Sequence, residues 1–225
     1  MLFSLALRTT ATRLSSSIRV AMVNPKIDAV QDLDTSDARW ISLKKLTYTD
    51  QDGKQRPWEM ATRRTRSTSG IDAVAILTIL KSKKNTFPPS TVVIEQYRPP
   101  IDKYVVELPA GLIDEGETPE QAAIRELKEE TGYQSDTIVE SSPVIVSDPG
   151  MTNANMKLVT ISVTLEDELL TPKPSLEVGE HIVTKVIALS ELHQKLLEYD
   201  QKGFAVDARL SHLATGFQLA HQFIK

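Results

Sequence analysis

Apolar residues recur along this chain with two periods, and the places where the period changes mark out its elements. Trp40 to Tyr48 is rich in aromatic and β-branched residues and predicts a strand. Asp52-Gly53 follows as a hairpin turn, because glycine accepts the positive φ that tight turns demand. A second strand is expected over Trp58 to Arg63, and the polar run Thr65 to Gly70 reads as a link. A two-stranded unit buries little alone and has to pack on something. Ala73 to Leu80 is an apolar strand, Lys81 to Ser90 a polar loop, and Thr91 to Tyr97 another strand, stopped by Pro99-Pro100. Val105 to Leu108 makes a short strand leading into Pro109-Ala110-Gly111. The clearest helix comes next: Thr118 is an N-cap, Pro119 sits at the first helical position, and Gln121 completes a capping box. That helix runs to about Thr131, where Gly132 supplies the stop. Strands are expected over Thr137 to Val146, Asn155 to Leu165 and Ile182 to Ala188. Ser190 reads as the cap of a helix that Gly203 ends. A last helix begins near Asp207 and carries Leu210, Leu213, Phe217 and Ala220 on one stripe. Strands that do not alternate strictly with helices predict an α+β or sandwich layering around a mixed sheet rather than a doubly wound one.

Composition narrows this picture. A length of 225 residues allows one large domain with an arm. Apolar content of 40% and charged content of 25% are ordinary for a globular protein. With no cysteine, disulfides, thiolate metal sites and a cysteine nucleophile are excluded. A net charge of −4 gives no general electrostatic reason to bind nucleic acid or an anionic membrane. No apolar run approaches the roughly 20 residues needed to span a bilayer. Met1 to Lys26 stands apart, with Arg8, Arg13, Arg19 and Lys26 among serines and threonines and no acid before Asp28. This is the composition of a mitochondrial transit peptide, or else an unstructured N-terminus. Met22 offers a second start, so the expected location is mitochondrial, cytoplasmic or both. The chain therefore divides into residues 1–27, a β arm over 28–68, and a main domain over 69–225.

Candidate chemistry concentrates in the capped helix. Glu126, Glu129 and Glu130 stand at i, i+3 and i+4 and share one face. Two like charges about 4 Å apart repel by roughly 4 kcal/mol at an effective dielectric near 20, so a trio of carboxylates is costly without a cation among them. Oxygen ligands without histidine or cysteine suit a hard ion such as Mg²⁺, with Mn²⁺ as the other candidate. Arg125 lies four residues before Glu129 and can hold that carboxylate, while Ala123 and Leu127 can pack the opposite side onto the sheet. Taken alone, the same three glutamates also fit a solvated acidic face. None of the four histidines has ligand spacing to another.

The surrounding residues add a resemblance. Gly111, five residues, Glu117, seven residues, then Arg125-Glu126-Leu127-x-Glu129-Glu130-x-Gly132-Tyr133 resembles the Nudix box, with Tyr133 departing from the usual aliphatic residue. Pro149, sixteen residues beyond Tyr133, resembles the marker of the ADP-ribose pyrophosphatase group. Tyr97-Arg98-Pro99-Pro100, Glu107 to Gly111, Ser147-Asp148-Pro149-Gly150 and Val206-Asp207-Ala208-Arg209 are similar to eukaryotic ADP-sugar pyrophosphatases. The resemblance implies a Nudix-type α/β/α sandwich with an N-terminal antiparallel hairpin arm. It implies Mg-dependent hydrolysis of ADP-ribose and related ADP-sugars to AMP and a sugar phosphate, by a homodimer.

Residue by residue, the resemblance makes Glu126 and Glu130 the main metal ligands, with Glu129 assisting and the Ala110 carbonyl completing the shell. Gly111 lets the chain turn there. Trp40 and Trp58 are implied to stack on adenine, one from each subunit; the other reading makes them core residues of the hairpin. Arg63 and Arg98 are implied to meet the phosphates and terminal ribose, Glu107 to lie at or behind the metal site, and Asp148 to touch the ribose across the dimer. Arg64 and Arg66 read as solvated charges. Glu180 is the favoured general base, with Glu177 as competitor and Glu129 as fallback. Two other functions stay open: hydrolysis of oxidised nucleoside diphosphates, and non-catalytic binding of ADP-ribose. RNA decapping is disfavoured by the lack of a basic groove signal.

Overall fold

A computed structural model describes residues 24–224. The transit-peptide expectation falls almost wholly on the first 23 residues, and with Met22 lies outside the described part.

Alternation at period two builds the centre of the molecule. In β3 (Ala73–Ser82), Val74, Ile76 and Leu80 turn to one face and Leu77 and Ile79 to the other. In β4 (Ser90–Arg98), Val92 and Val93 divide the same way. Each face therefore needs a cover. On one side Ala122, Ala123 and Leu127 of the helix at 119–131 join Ile113, Tyr133, Val159 and Ile161 in a single buried cluster. On the other, Leu192, Leu196, Leu210 and Ala214 of two C-terminal helices close over Leu77, Val93, Val106 and Ile187. Helix, sheet and helices form three layers, the α/β/α sandwich expected from the sequence.

The sheet is mixed. β5 (Lys103–Glu107) lies antiparallel to β4, and β9 (Asn155–Leu165) runs parallel to β3 from Ala73↔Met156 to Ser82↔Leu165. β6 (Ala110–Leu112) is a short strand on β3 where only a loop was expected. β10 (Ile182–Ala188) pairs with β4. The single strand expected over Thr137 to Val146 is two, β7 (Ile138–Ser141) and β8 (Ile145–Val146), both on β9. Pro143 sits in the break and has no amide to give a ladder.

The helix α1 (Pro119–Glu126) begins as predicted. The Thr118 side chain accepts from the Gln121 amide, and the Gln121 side chain accepts from the Thr118 amide. Its second half departs from expectation: Leu127–Thr131 winds as a π turn, closed by Gly132 at φ 77°. Two other helices follow, α2 (Leu192–Gln201) and α3 (Ala208–Phe223). Asp207 caps α3, accepting from the Arg209 and Leu210 amides. Ser190 does not cap α2. A 3₁₀ turn over Leu189–Glu191 feeds straight into it and occupies the place of a cap. Between α2 and α3, β11 (Ala205–Val206) adds a short parallel strand beside β5.

The N-terminal hairpin, β1 (Ile41–Thr49) and β2 (Gln55–Arg63), forms a separate two-stranded sheet in register from Ile41↔Arg63 to Thr49↔Gln55. It rests on the loop before β9: the Trp58 indole donates to the Gly150 carbonyl at 3.0 Å, and the Ala61 amide to that of Met151 at 2.9 Å. Its link to the main domain is pinned. Arg66 grips Asp72 through two bonds of 2.8 and 2.7 Å, and Asp72 also accepts from the Asn155 amide at 2.9 Å. The reading of Arg66 as a solvated charge is thereby corrected, since its partner Asp72 is buried at the mouth of β3.

Candidate active site

Because β6 docks on β3, Gly111 passes directly beneath α1. A Cβ on Gly111 would lie 1.9 Å from Cδ of Glu126, so only glycine leaves that carboxylate its place. One residue earlier, the Ala110 amide donates to Glu130 Oε2 at 2.9 Å. Arg125 ties the rest together. Its Nε and Nη2 hold Glu117 at 3.0 and 2.9 Å, its Nη1 reaches Glu126 at 2.7 Å and Glu129 at 3.0 Å, and Nη2 also donates to the Leu112 carbonyl at 3.0 Å. Every N–H donor of this guanidinium is directed at a carboxylate or at the Leu112 carbonyl. Arg125 therefore organises the acids from the wall of the cavity that it lines with them.

Apart from Glu117, these groups line one cavity of about 320 Å³: Ala110, Gly111, Arg125, Glu126, Glu129 and Glu130 share it with Gln96, Arg98, Glu177 and Glu180. Arg98 stands at the end of β4, where Pro99 and Pro100 turn the chain, and its Nε donates to the buried Glu107 at 2.8 Å. Glu177 and Glu180 close the other wall through a tight turn: the Glu180 amide bonds the Glu177 carbonyl at 3.1 Å, and the Glu177 amide bonds Glu180 Oε2 at 3.0 Å.

Electrostatics follow from burial. Glu130 is 4% exposed, and that burial, with the charges of Glu126, Glu180 and Glu107 adding to it, pushes its carboxyl up to about 8 against the opposing Ala110 amide. Glu126 is raised as well, by burial first, with Arg125 opposing and Glu129 and Glu180 adding to the rise. Glu117 moves the other way because Arg125 bonds it so closely. The cavity is thus a place where negative charge is held at a cost.

Among the described residues no three acids or histidines already stand as a metal-holding set. Glu126 and Glu129 are turned to Arg125 and Glu130 to a backbone amide, so the shared face predicted from spacing is present while the oxygens do not yet converge. The donor set nonetheless fits a hard divalent cation. All its donors are oxygen, and Glu130 is a buried carboxyl compensated by a neutral amide.

The other residues singled out in the sequence lie elsewhere. Arg63 lines a different cavity of about 410 Å³, beside Asn155, Met156, Asp207, Arg209 and His212. Trp40 and Trp58 are 61% and 47% exposed on the arm, Tyr48 meets Trp58 edge to face, and the Arg39 guanidinium covers Trp40. They are not a core of the hairpin. Asp148 is exposed on the loop that Trp58 touches. Within one chain these four do not reach the acidic cavity. Sequence reasoning gave no role to Gln96 or Asp114, which line it, and none to Glu117, whose place in the spacing pattern was the available signal.

The NUDIX domain family model matches residues 70–206, and the chain belongs to that family of hydrolases. It is 44% identical to an uncharacterised Nudix hydrolase of Schizosaccharomyces pombe, over 89% of this chain and 96% of that one. Identity is 43% to the ADP-ribose pyrophosphatase of Saccharomyces cerevisiae, over 88% of this chain and 85% of the other. It is 34% to the ADP-sugar pyrophosphatase of Mus musculus, over 79% and 84%. The fold is similar to a crystal structure of an ADP compounds hydrolase, with a TM-score of 0.52, 22% identity, and coverage of 83% of this chain and 90% of that one.

Proposed function

We propose that this enzyme hydrolyses the pyrophosphate of ADP-ribose and related ADP-sugars, releasing AMP and, from ADP-ribose, ribose 5-phosphate. The observation that carries the reading is a single cavity in which Arg98 faces the carboxylates Glu126, Glu129, Glu130 and Glu180. An arginine fits a phosphate, and a carboxylate cluster meets a diphosphate only through divalent cations. The names of relatives at 43% and 34% identity support an ADP-sugar as substrate.

Glu126 and Glu130 would hold Mg²⁺, assisted by Glu129 and the Ala110 carbonyl; Mn²⁺ suits the same oxygen set. When bound, the ion neutralises phosphate oxygens and eases deprotonation of water. Arg98, steadied by Glu107, orients the diphosphate. Glu180 accepts a proton from the attacking water as the bond from phosphorus to the bridging oxygen breaks. Trp40 and Trp58 hold adenine between subunits of a homodimer, with Arg63 and Asp148 reaching the substrate from the arm and its neighbouring loop. Solvent-facing Ile41, Leu43, Leu46 and Tyr48 on the arm support burial by a second copy. The basic, acid-free N-terminus supports a mitochondrial address, and Met22 a cytoplasmic form. Among the described residues no helix is long and apolar enough to cross a membrane.

Product analysis with ADP-ribose tests the reading. Equimolar AMP and ribose 5-phosphate are expected with Mg²⁺, none after chelation, and full recovery when Mg²⁺ is returned. Turnover confined to oxidised nucleoside diphosphates in a parallel panel would replace the substrate. Binding of ADP-ribose without turnover would make the chain a binding module. Glu180→Gln is expected to lower kcat by about 10² to 10⁴ with little change in KM. Near-normal turnover of that variant assigns the base to Glu177 or Glu129 instead.

A further inference from the structure

The stretch between β9 and β10, residues 166–181, carries Glu180 yet contains no regular secondary structure. A loop of that length positions a side chain poorly unless something holds it. The end of the carboxylate helix holds it at successive points. The Tyr133 ring is 1% exposed, and its hydroxyl donates to the Leu170 carbonyl at 2.5 Å. Gly132 lies so close to the loop that a Cβ there would stand 2.6 Å from the Lys173 carbonyl oxygen and 2.8 Å from Cβ of Pro172. The Ser175 amide donates to the Glu129 carbonyl at 2.7 Å. Beyond Glu180, the Thr184 hydroxyl donates to the Glu130 carbonyl at 3.2 Å. Two of these acceptors belong to Glu129 and Glu130 themselves, within the π turn.

The helix that presents the candidate metal ligands is therefore stitched to the loop that presents the candidate base. The aromatic ring explains itself as core, since it packs with Leu127, Ile113 and Val163. An aliphatic side chain could occupy such a place. The hydroxyl is what packing leaves unexplained, and it reaches the loop at its root, ten residues before Glu180.

We infer that Tyr133 is a positioning residue for catalysis, whose hydroxyl fixes the Leu170 end of the loop so that the Ser175 contact forms and Glu180 is delivered over Glu126 and Glu130. The inference rests on the reading of Glu180 as general base. Removing the hydroxyl alone lets the loop drift while the ring, the helix and the substrate contacts stay. A drift of the base lowers turnover and leaves substrate affinity as it was.

The test compares the wild-type chain, Tyr133→Phe, Glu180→Gln and the double variant on ADP-ribose with Mg²⁺. Tyr133→Phe should lose about tenfold in kcat with KM held within about twofold, and the Ser175 amide should exchange with solvent faster. In the Glu180→Gln background the tyrosine change should cost nothing further, because there is no base left to misplace. If Glu180→Gln is slow while Tyr133→Phe is unimpaired, or while the two losses multiply, the positioning role is overturned and the base assignment stands. An unchanged Ser175 amide likewise overturns it. If Glu180→Gln turns over normally, the base assignment fails and takes this inference with it.

Discussion

At Gly111 a single hydrogen decides whether Glu126 can reach the cavity. Gly111→Ala would put a methyl 1.9 Å from the Glu126 carboxyl carbon, and the flexible end of that side chain would yield before the sheet does. The expected outcome is a folded protein, within about 1 kcal/mol of the parent in urea unfolding, whose kcat with Mg²⁺ falls by roughly 100-fold or more. Equal loss of stability and activity would place the glycine in the scaffold instead. Much of this was legible in the chain. The i, i+3, i+4 spacing placed Glu126, Glu129 and Glu130 on one face, and they line one cavity. Arg125 was legible as a holder of Glu129, but its grip on Glu117, eight residues back across a turn, was not. Helical spacing has no rule for a contact that depends on how the preceding loop folds. Asp72 was missed for the same reason: Arg66 belongs to a link whose path only the packed arm defines.

At the level of elements, caps were easy to read and winding was not. Thr118, Pro119 and Gln121 are a local signal, so the start of α1 was fixed by residues in contact along the chain. The π turn over Leu127–Thr131 has no such signature, since it is held by partners from afar: Ser175 on the Glu129 carbonyl and Thr184 on that of Glu130. Ser190 illustrates the converse, a good cap residue overruled because the 3₁₀ turn before α2 already supplies the bonds. Gly132 closes the turn with a left-handed backbone and no room for a side chain. Gly132→Ala should therefore cost about 3 kcal/mol, part from the positive φ and part from collision with the Lys173 carbonyl, which is backbone and cannot step aside. Chemical denaturation checks it; a loss under about 1 kcal/mol would show that the loop gives way freely.

Across the whole molecule, the pairing of Arg66 with Asp72 couples arm to domain and carries a pH signature. Burial raises the Asp72 carboxyl, but Arg66 and the Asn155 amide outweigh it, and the net shift is downward. A carboxyl depressed in the folded state adds stability that is complete above its unfolded value near 3.9 and drains away as pH falls through the lower folded value. The clamp is then indifferent to pH in the neutral range and fails only in acid. Asp72→Asn should lose about 2 kcal/mol at pH 7 and show a flatter decline of melting temperature below about pH 4 than the parent. An unaltered acid limb would assign that decline to other carboxyls. Sequence patterning gave the layers and the arm because both follow from alternation, whereas the attitude of arm to domain depends on Asp72, Asn155, Trp58 and Gly150, which lie far apart along the chain.

That attachment has a consequence for assembly. Bonds from Trp58, Ala61, Arg66 and Asn155 tie the arm and its link to the main domain, so folding of one chain already orients its projecting face. A neighbour arriving there meets a finished shape. In the homodimer proposed above, the backbone entropy of ordering the arm would already have been lost as each copy folds, and little of it would weigh against their association.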